Sequence, residues 1–357
     1  MLCPQSARVL CMKLLRSLGI LPFFGLAVLV GAGQSVLAPR VAAAEPQLAI
    51  LDTDIGDDID DVFALALLLR SPEVNLLGVT TAYGDTELRA QLLDRYLGAI
   101  ERFNIPVATG VATAQSNVFS QAAYARQKSR TEWTKVLHQG PEGSTAIAVG
   151  GNHHQDGVEL LLDQIRLHPG QITLIAIGPL NNIQAAIEKD LATFRKLKRV
   201  VMMGGSIYRG YDGQQGERRA PDAEWNISRD PAGLRALLAS GVPVYMMPLD
   251  STQIHLDTKE RELIFAHGSP LTDQLTLLYH QWLANKGDAS PTPTLFDPVA
   301  VAYAVHPELC PMTPLRLNVD EKGMTIPIAG EPNAQVCLQS DEKGFLDLLL
   351  SRLTEKP

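Results

Sequence analysis

The chain runs to 357 residues, with 39 acidic side chains against 31 basic ones and a formal net charge of -8. That balance repels nucleic-acid backbones, and four cysteines are too few for a disulfide-dense miniprotein. A globular protein acting on a small ligand is the default.

In chain order, residues 1–44 read as an export signal. Arg8, Lys13 and Arg16 form a basic start, Leu18 to Val30 an apolar stretch, and Val41-Ala42-Ala43-Ala44 a small-residue cleavage site before Glu45. A retained anchor is the alternative, since Ser17 to Leu37 reaches the ~20 residues that a bilayer requires. Pro22 and the glycines inside that stretch favour removal. Loss of Arg8, Lys13, Arg16 and Arg40, with no acid, carries the formal charge from -8 to -12. The expected product is exported, periplasmic or extracellular, with no stable membrane association.

Residues 45–357 suffice for one large α/β domain or two small ones. Apolar strand-like runs lie at Leu48–Leu51, Val74–Thr80, Pro106–Ala108, Ile172–Ile177, Arg199–Met203 and Val242–Met247. Amphipathic stretches fall between them, at Thr86–Phe103, Gln155–His168, Asn182–Leu191 and Pro231–Leu238. This rhythm predicts crossover units and a largely parallel sheet flanked by helices. Neither a low-complexity linker nor an internal repeat divides the chain. Two long irregular stretches, Ala114–Gly143 with Trp133 and Ser206–Asp222, read as lids over the strand ends. Cys3 and Cys11 leave with the signal. Cys310 and Cys337 then form either one disulfide or two separate buried thiols.

The segment Asp52-Thr53-Asp54-Ile55-Gly56-Asp57-Asp58-Ile59-Asp60-Asp61 packs six carboxylates into ten residues, between the strand-like Leu48–Leu51 and the helix-like Val62–Leu69. Open α/β sheets keep their active sites at such strand ends. Acids crowded this closely repel one another unless a cation sits among them, and hard divalent ions, Ca²⁺ above all, suit several carboxylates on one loop. An EF-hand does not fit, because Gly56 stands where a ligand acid is needed and no Glu follows at the right interval. A haloacid dehalogenase-type phosphatase also opens with D-x-D after a strand. A solvated helix start explains Asp60 and Asp61 through the helix dipole but leaves Asp52 and Asp54 unexplained.

Further motifs follow in order: Ile177-Gly178-Pro179-Leu180-Asn181-Asn182, Met202-Met203-Gly204-Gly205, Ala223-Glu224-Trp225-Asn226-Ile227 and Phe296-Asp297-Pro298-Val299-Ala300. With the acid run, they make the chain resemble the calcium-dependent nucleoside hydrolase family from about Leu48 to about Pro307. The resemblance implies a doubly wound α/β fold and hydrolysis of the N-glycosidic bond of ribonucleosides to ribose and free base, with a Ca²⁺-bound water. It also implies a homodimer or homotetramer, a small ribonucleoside as the only partner class, and a place in purine or pyrimidine salvage. Residue by residue, Asp54 looks like the metal ligand that accepts the proton of the attacking water. Asp61, Asp297 and the Ile177 carbonyl look like further ligands. Asp60 looks like the acid on a ribose hydroxyl, and Glu224 and Asn226 like the clamp on the sugar.

The sequence departs from the family at several points. Its Asp pair comes two residues late, so Asp57 and Asp58 are expected in a solvated bulge. Asp85 stands where many relatives carry Asn beside the water; it either contacts that water, as a substrate-binding acid, or caps the following helix. Phe296 replaces a His that protonates the base in inosine- and uridine-preferring relatives, which leaves Trp225, Trp133 or Tyr208 to stack on it. Arg218 stands in place of an Asn for the 5'-hydroxyl. Adjacent histidines point in different directions, so at most one of His153 and His154 reaches the base. The rival to a ribonucleoside hydrolase is an inactive nucleoside- or sugar-binding protein that keeps the Ca²⁺ site, with the phosphatase third.

Overall fold

A computed structural model describes residues 45–114, 118–127, 154–213, 216–286 and 292–355. The signal segment, Trp133, His153 and most of the Ala114–Gly143 stretch lie outside these residues. Among the described residues no helix is long and apolar enough to cross a membrane.

Among the described residues ten strands form one sheet: β1 Gln47–Thr53, β2 Val74–Thr81, β3 Val107–Thr109, β4 Gln155–Asp156, β5 Thr173–Ala176, β6 Arg199–Met203, β7 Val244–Met247, β8 Met312–Val319, β9 Thr325–Ile328 and β10 Ala334–Cys337. Their spatial order is β4-β3-β2-β1-β5-β6-β7-β10-β8-β9. Pairing is parallel from β4 through to β10. The edge pairs β10–β8 and β8–β9 are antiparallel. The sheet is therefore doubly wound and largely parallel.

Residue alternation on the central strands sorts the core into two layers. Ala49 and Leu51 of β1 join the cluster that contains the apolar side of helix α1, Asp60–Leu69. Ile50 turns to the other face, among residues of the helices Gly157–Leu167 and Asn181–Phe194. Burial on both faces explains why β1, β5 and β6 read as continuous apolar runs rather than as alternating ones.

The strand order reverses beside β1, because the chain proceeds outward through β2 on one flank and returns to β5 on the other. A crevice opens outside the carboxyl ends of strands at such a switch point. The loops that follow β1 and β5 carry Asp54 and Ile177. Cys310 and Cys337 are joined as a disulfide with Cα atoms 5.5 Å apart, and both are buried. The bridge ties β10 to the short 3₁₀ turn Pro307–Leu309, which follows the helix Pro298–Val305 that Asp297 precedes.

Candidate active site

The loop after β1 turns back at once, because its own hydroxyls and amides compete for its polar groups. The Thr53 hydroxyl donates to the Asp61 carboxylate and accepts from the Ile55 N–H at 3.1 Å. Asp52 is fixed on the sheet by donors from the Thr80 hydroxyl and from the Asn182 amide, the latter at 2.6 Å. The loop after β5 crosses so near that a Cβ at Gly178 would lie 2.8 Å from the Asp54 backbone nitrogen. Only glycine permits that approach.

These contacts place Asp54, Asp60 and Asp61 on one wall of a cavity of about 400 Å³, and Ile177, Glu224, Asn226 and Asp297 line the same space. The Asp297 N–H donates to Asp60 Oδ2 at 3.3 Å across 237 positions of chain. Glu224 caps the short helix Trp225–Arg229, accepting from the Asn226 and Ile227 N–H groups at 2.9 and 3.2 Å and from Gly205 at 2.9 Å. Asn226 Nδ2 donates to the carbonyls of Ile177 and Met203, each at 3.3 Å.

Carboxylates of Asp60, Asp61 and Asp297 offer oxygens within 4.8 Å of one another, and all three are buried. Burial, then the neighbouring acids, drives all three well above the ordinary carboxylate range. Burial also lifts Asp54 to about 7 against the pull of Arg89. Burial raises Glu224 as well, opposed by its three backbone donors. An all-oxygen, all-anionic set of this kind fits a hard cation, whose charge would cancel the mutual repulsion. Asp60 thereby joins the ion-binding set, whereas the sequence assigned it to a ribose hydroxyl. Sequence spacing could not show that the Asp60 carboxylate turns toward Asp297.

Aromatic side chains stand round the rest of the cavity: Tyr211, Trp225, Trp282 and Phe296. Tyr211 and Phe296 meet edge to face at 6.0 Å, and the Tyr211 hydroxyl accepts from the Trp225 N–H at 2.9 Å. Sequence reading named Tyr208 as a stacking residue, but Tyr208 is 59% exposed. Its own N–H and that of Ile207 are pinned to Asp250, which leaves Tyr211 to face the cavity. The local signal was the Gly- and Arg-rich run itself; only the path of the loop decides which tyrosine turns inward.

Other expected residues stand elsewhere. Asp85 caps helix α2, Thr86–Ala99, by accepting from the Leu88 N–H at 3.0 Å; it is exposed and not among the residues lining the cavity. The structure thus shows the capping contact. His154 is held between Asp94 at 2.8 Å and Glu87 at 3.1 Å, away from the cavity lining. Arg218 is exposed and does not line the cavity. The bulge is not uniformly solvated either. Asp57 pairs with the fully buried Arg89 at 2.7 Å, while Asp58 is half-exposed and lies 3.6 Å from Lys286.

Comparison with known proteins agrees with this geometry. Residues 49–347 match the family model of the inosine-uridine preferring nucleoside hydrolases. The pyrimidine-specific ribonucleoside hydrolase RihA of Salmonella arizonae is 31% identical over 324 residues, covering 85% of this chain and 97% of that protein. The RihA of Citrobacter koseri is 30% identical with the same coverage. Among solved structures, a plant nucleoside hydrolase, PpNRh1, superposes with a TM-score of 0.70 at 24% identity, over 87% of this chain and 100% of its own. A purine-preferring ribonucleoside hydrolase from Gardnerella vaginalis gives 0.69 at 23% identity, over 86% of this chain and 98% of its own. These two likenesses concern the fold. With the family match over most of the chain and three buried aspartates gathered for a cation, the chain belongs to the inosine-uridine preferring nucleoside hydrolase family and is a Ca²⁺-coordinating hydrolase of ribonucleoside N-glycosidic bonds.

Proposed function

We propose that Asp54 is the general base of this reaction, that Glu224 and Asn226 hold the ribose, and that the Ile177 carbonyl and Asp54 complete the oxygen set begun by Asp60, Asp61 and Asp297. The observation that carries this reading is the convergence of these seven residues, distant in sequence, on one cavity with buried acids at its wall. Held by these oxygens, Ca²⁺ would lower the pKa of a water in the cavity.

The chain's own residues do the rest. Asp54, whose carboxylate faces the cavity, takes a proton from the attacking water. The water oxygen joins C1', the C1'–N bond breaks, and its electron pair leaves on the base nitrogen, which is protonated in turn. Glu224 and the surrounding carboxylates stabilise the positive charge that develops on the ribose only in the transition state. Tyr211, Trp225 and Phe296 offer apolar faces to the leaving base, which fits protonation from solvent where Phe296 stands in place of the family's histidine.

The test is a panel of ribonucleosides, including cytidine and uridine because the curated relatives are named pyrimidine-specific, with release of reducing sugar as the readout. Release that stops with EDTA and with Asp54→Ala is the expected result. Measurable binding with no release from any member would leave the binding-protein reading in its place. Demand for a cis-diol predicts that 2'-deoxyinosine is a poor substrate beside inosine, and comparable turnover would sink it.

Two further parts of the proposal concern place and assembly. The Cys310–Cys337 disulfide supports an oxidising compartment, in keeping with export. A homodimer or homotetramer is the proposed assembly, read directly by light scattering.

A further inference from the structure

Arg89 is the largest fully buried side chain of the described residues and does not line the cavity. Its guanidinium lies behind the acid loop. Nε donates to the Tyr83 carbonyl at 2.8 Å, one terminal nitrogen to the carbonyls of Asp54 and Ile55, the latter at 2.9 Å, and the other to Asp57 Oδ2 at 2.7 Å. Ser120 and Gln121 hold the next stretch of the loop. The Ser120 hydroxyl donates to the Asp57 carbonyl at 3.0 Å, and Gln121 donates from its backbone to Gly56 O at 3.1 Å and from its side chain to Asp58 O at 2.9 Å. Five consecutive carbonyls, from Asp54 to Asp58, are therefore each taken by a donor outside the loop. The acid run is left to line the cavity with its side chains, Asp54, Asp57, Asp58, Asp60 and Asp61 among them.

The same guanidinium reaches the aromatic wall. Tyr83 has φ +61°, a left-handed conformation unusual for a bulky residue, and its ring meets Trp225 edge to face at 6.1 Å. Arg89 bonds the carbonyl of that strained residue, so one side chain braces both the acid wall and the support of the base-facing tryptophan. A planar five-donor fork spans these acceptors; the three donors on the single nitrogen of a lysine do not.

We propose that Arg89 is a positioning residue for the reaction, holding the lengthened acid loop in the shape that brings Asp54, Asp60 and Asp61 to the ion and the ribose. This rests on the nucleoside hydrolase reading of the same cavity. Two roles for a buried cation beside a metal site make opposite predictions. A cation that only lowers the negative potential would weaken Ca²⁺ binding, so removing it would tighten the ion. A positioning cation, once removed, lets the ligands drift and loosens it.

The test uses R89M and R89K in the full-length protein, with Ca²⁺ affinity measured by calorimetry on metal-stripped protein and kcat and KM on the best wild-type nucleoside. For both variants we expect Ca²⁺ affinity and kcat to fall by about 10- to 100-fold, the range seen when outer contacts to metal ligands are removed, with KM changing less than kcat. R89M that binds Ca²⁺ as tightly as the wild type or more so, or R89K equal to the wild type in affinity and kcat, overturns the proposal. Should R89M fail to fold, R89K decides alone, because it keeps the charge and loses only the fork. The calorimetric arm stands even if no nucleoside in the panel is hydrolysed, which separates failure here from failure of the substrate reading.

Discussion

Two aspartate pairs sit three positions apart, one in the loop after β1 and one at the start of helix α1, and meet different partners. Asp57 and Asp58 face cations of the chain itself, Arg89 at 2.7 Å and Lys286 at 3.6 Å. Asp60 and Asp61 lie among other acids, and burial first, then those neighbours, holds each of them well above its ordinary pKa. Acids the protein neutralises from within serve its architecture. Acids it leaves crowded are stable as anions only when a cation arrives from outside.

The largest expected effect breaks that comparison at its crowded end. Asp54→Ala should lower kcat by about 10³-fold, within the range for loss of a general base, and chelation should abolish turnover until Ca²⁺ is returned. Steady-state kinetics with and without EDTA measure both. If chelated protein keeps full activity, the crowded acids are not waiting for an ion.

The next effect concerns pH. Asp52 is raised to about 6 and Asp54 to about 7 from an ordinary 3.8, chiefly by burial. The metal-free fold binds these protons more tightly than the unfolded chain. The stability they contribute is complete below about pH 4 and is lost as pH rises through about 6 and then about 7. Thermal melts of EDTA-treated protein should therefore show Tm falling between about pH 5 and about pH 8, with added Ca²⁺ restoring it at the alkaline end. A Tm that climbs over that span without metal would contradict the raised carboxylates.

Smaller changes sharpen the other end. Asp85→Ala removes a helix cap and should cost about 1 kcal/mol of stability in denaturant melts while leaving kcat and KM as they are. A large rise in KM would return Asp85 to the substrate. Least of all, Asp58→Asn loses a half-exposed ion pair, worth less than about 1 kcal/mol in a stability measurement. A loss of activity on the scale of Asp54→Ala would mean that both pairs serve the ion.

Much of this was legible in the sequence, for local reasons. The run Arg199–Met203 is β6 without change of bounds, because a strand buried on both faces shows as an uninterrupted apolar stretch. The acid run and its place after a strand announced a cation site. The C-terminal strands β8 to β10 were not legible. In β8 exposed residues alternate with buried or half-buried ones, and Pro314 interrupts the pattern. The two residues of β4 were absorbed into the helix that follows them, being too short to carry a period of their own.

Side-chain direction set the limit elsewhere. Asp57 and Asp58 are identical in type and adjacent, yet one meets a buried guanidinium and the other half-exposed solvent. Nothing local distinguishes them, because Arg89 comes 32 positions later. Tyr208 and Tyr211 differ in the same way, one turned out beside Asp250 and the other turned in against Phe296.

By itself the amino-acid sequence determined the parallel sheet, the acid loop at the end of its first strand and the hydrophobic periods that bury both faces, since each is written in neighbouring residues. Only the tertiary structure decided that Asp60 stands with Asp297 and that Arg89 braces the loop from behind. Those outcomes depend on contacts across 32 to 237 positions, where burial, charge and the reach of a side chain act through space and leave no periodic trace along the chain.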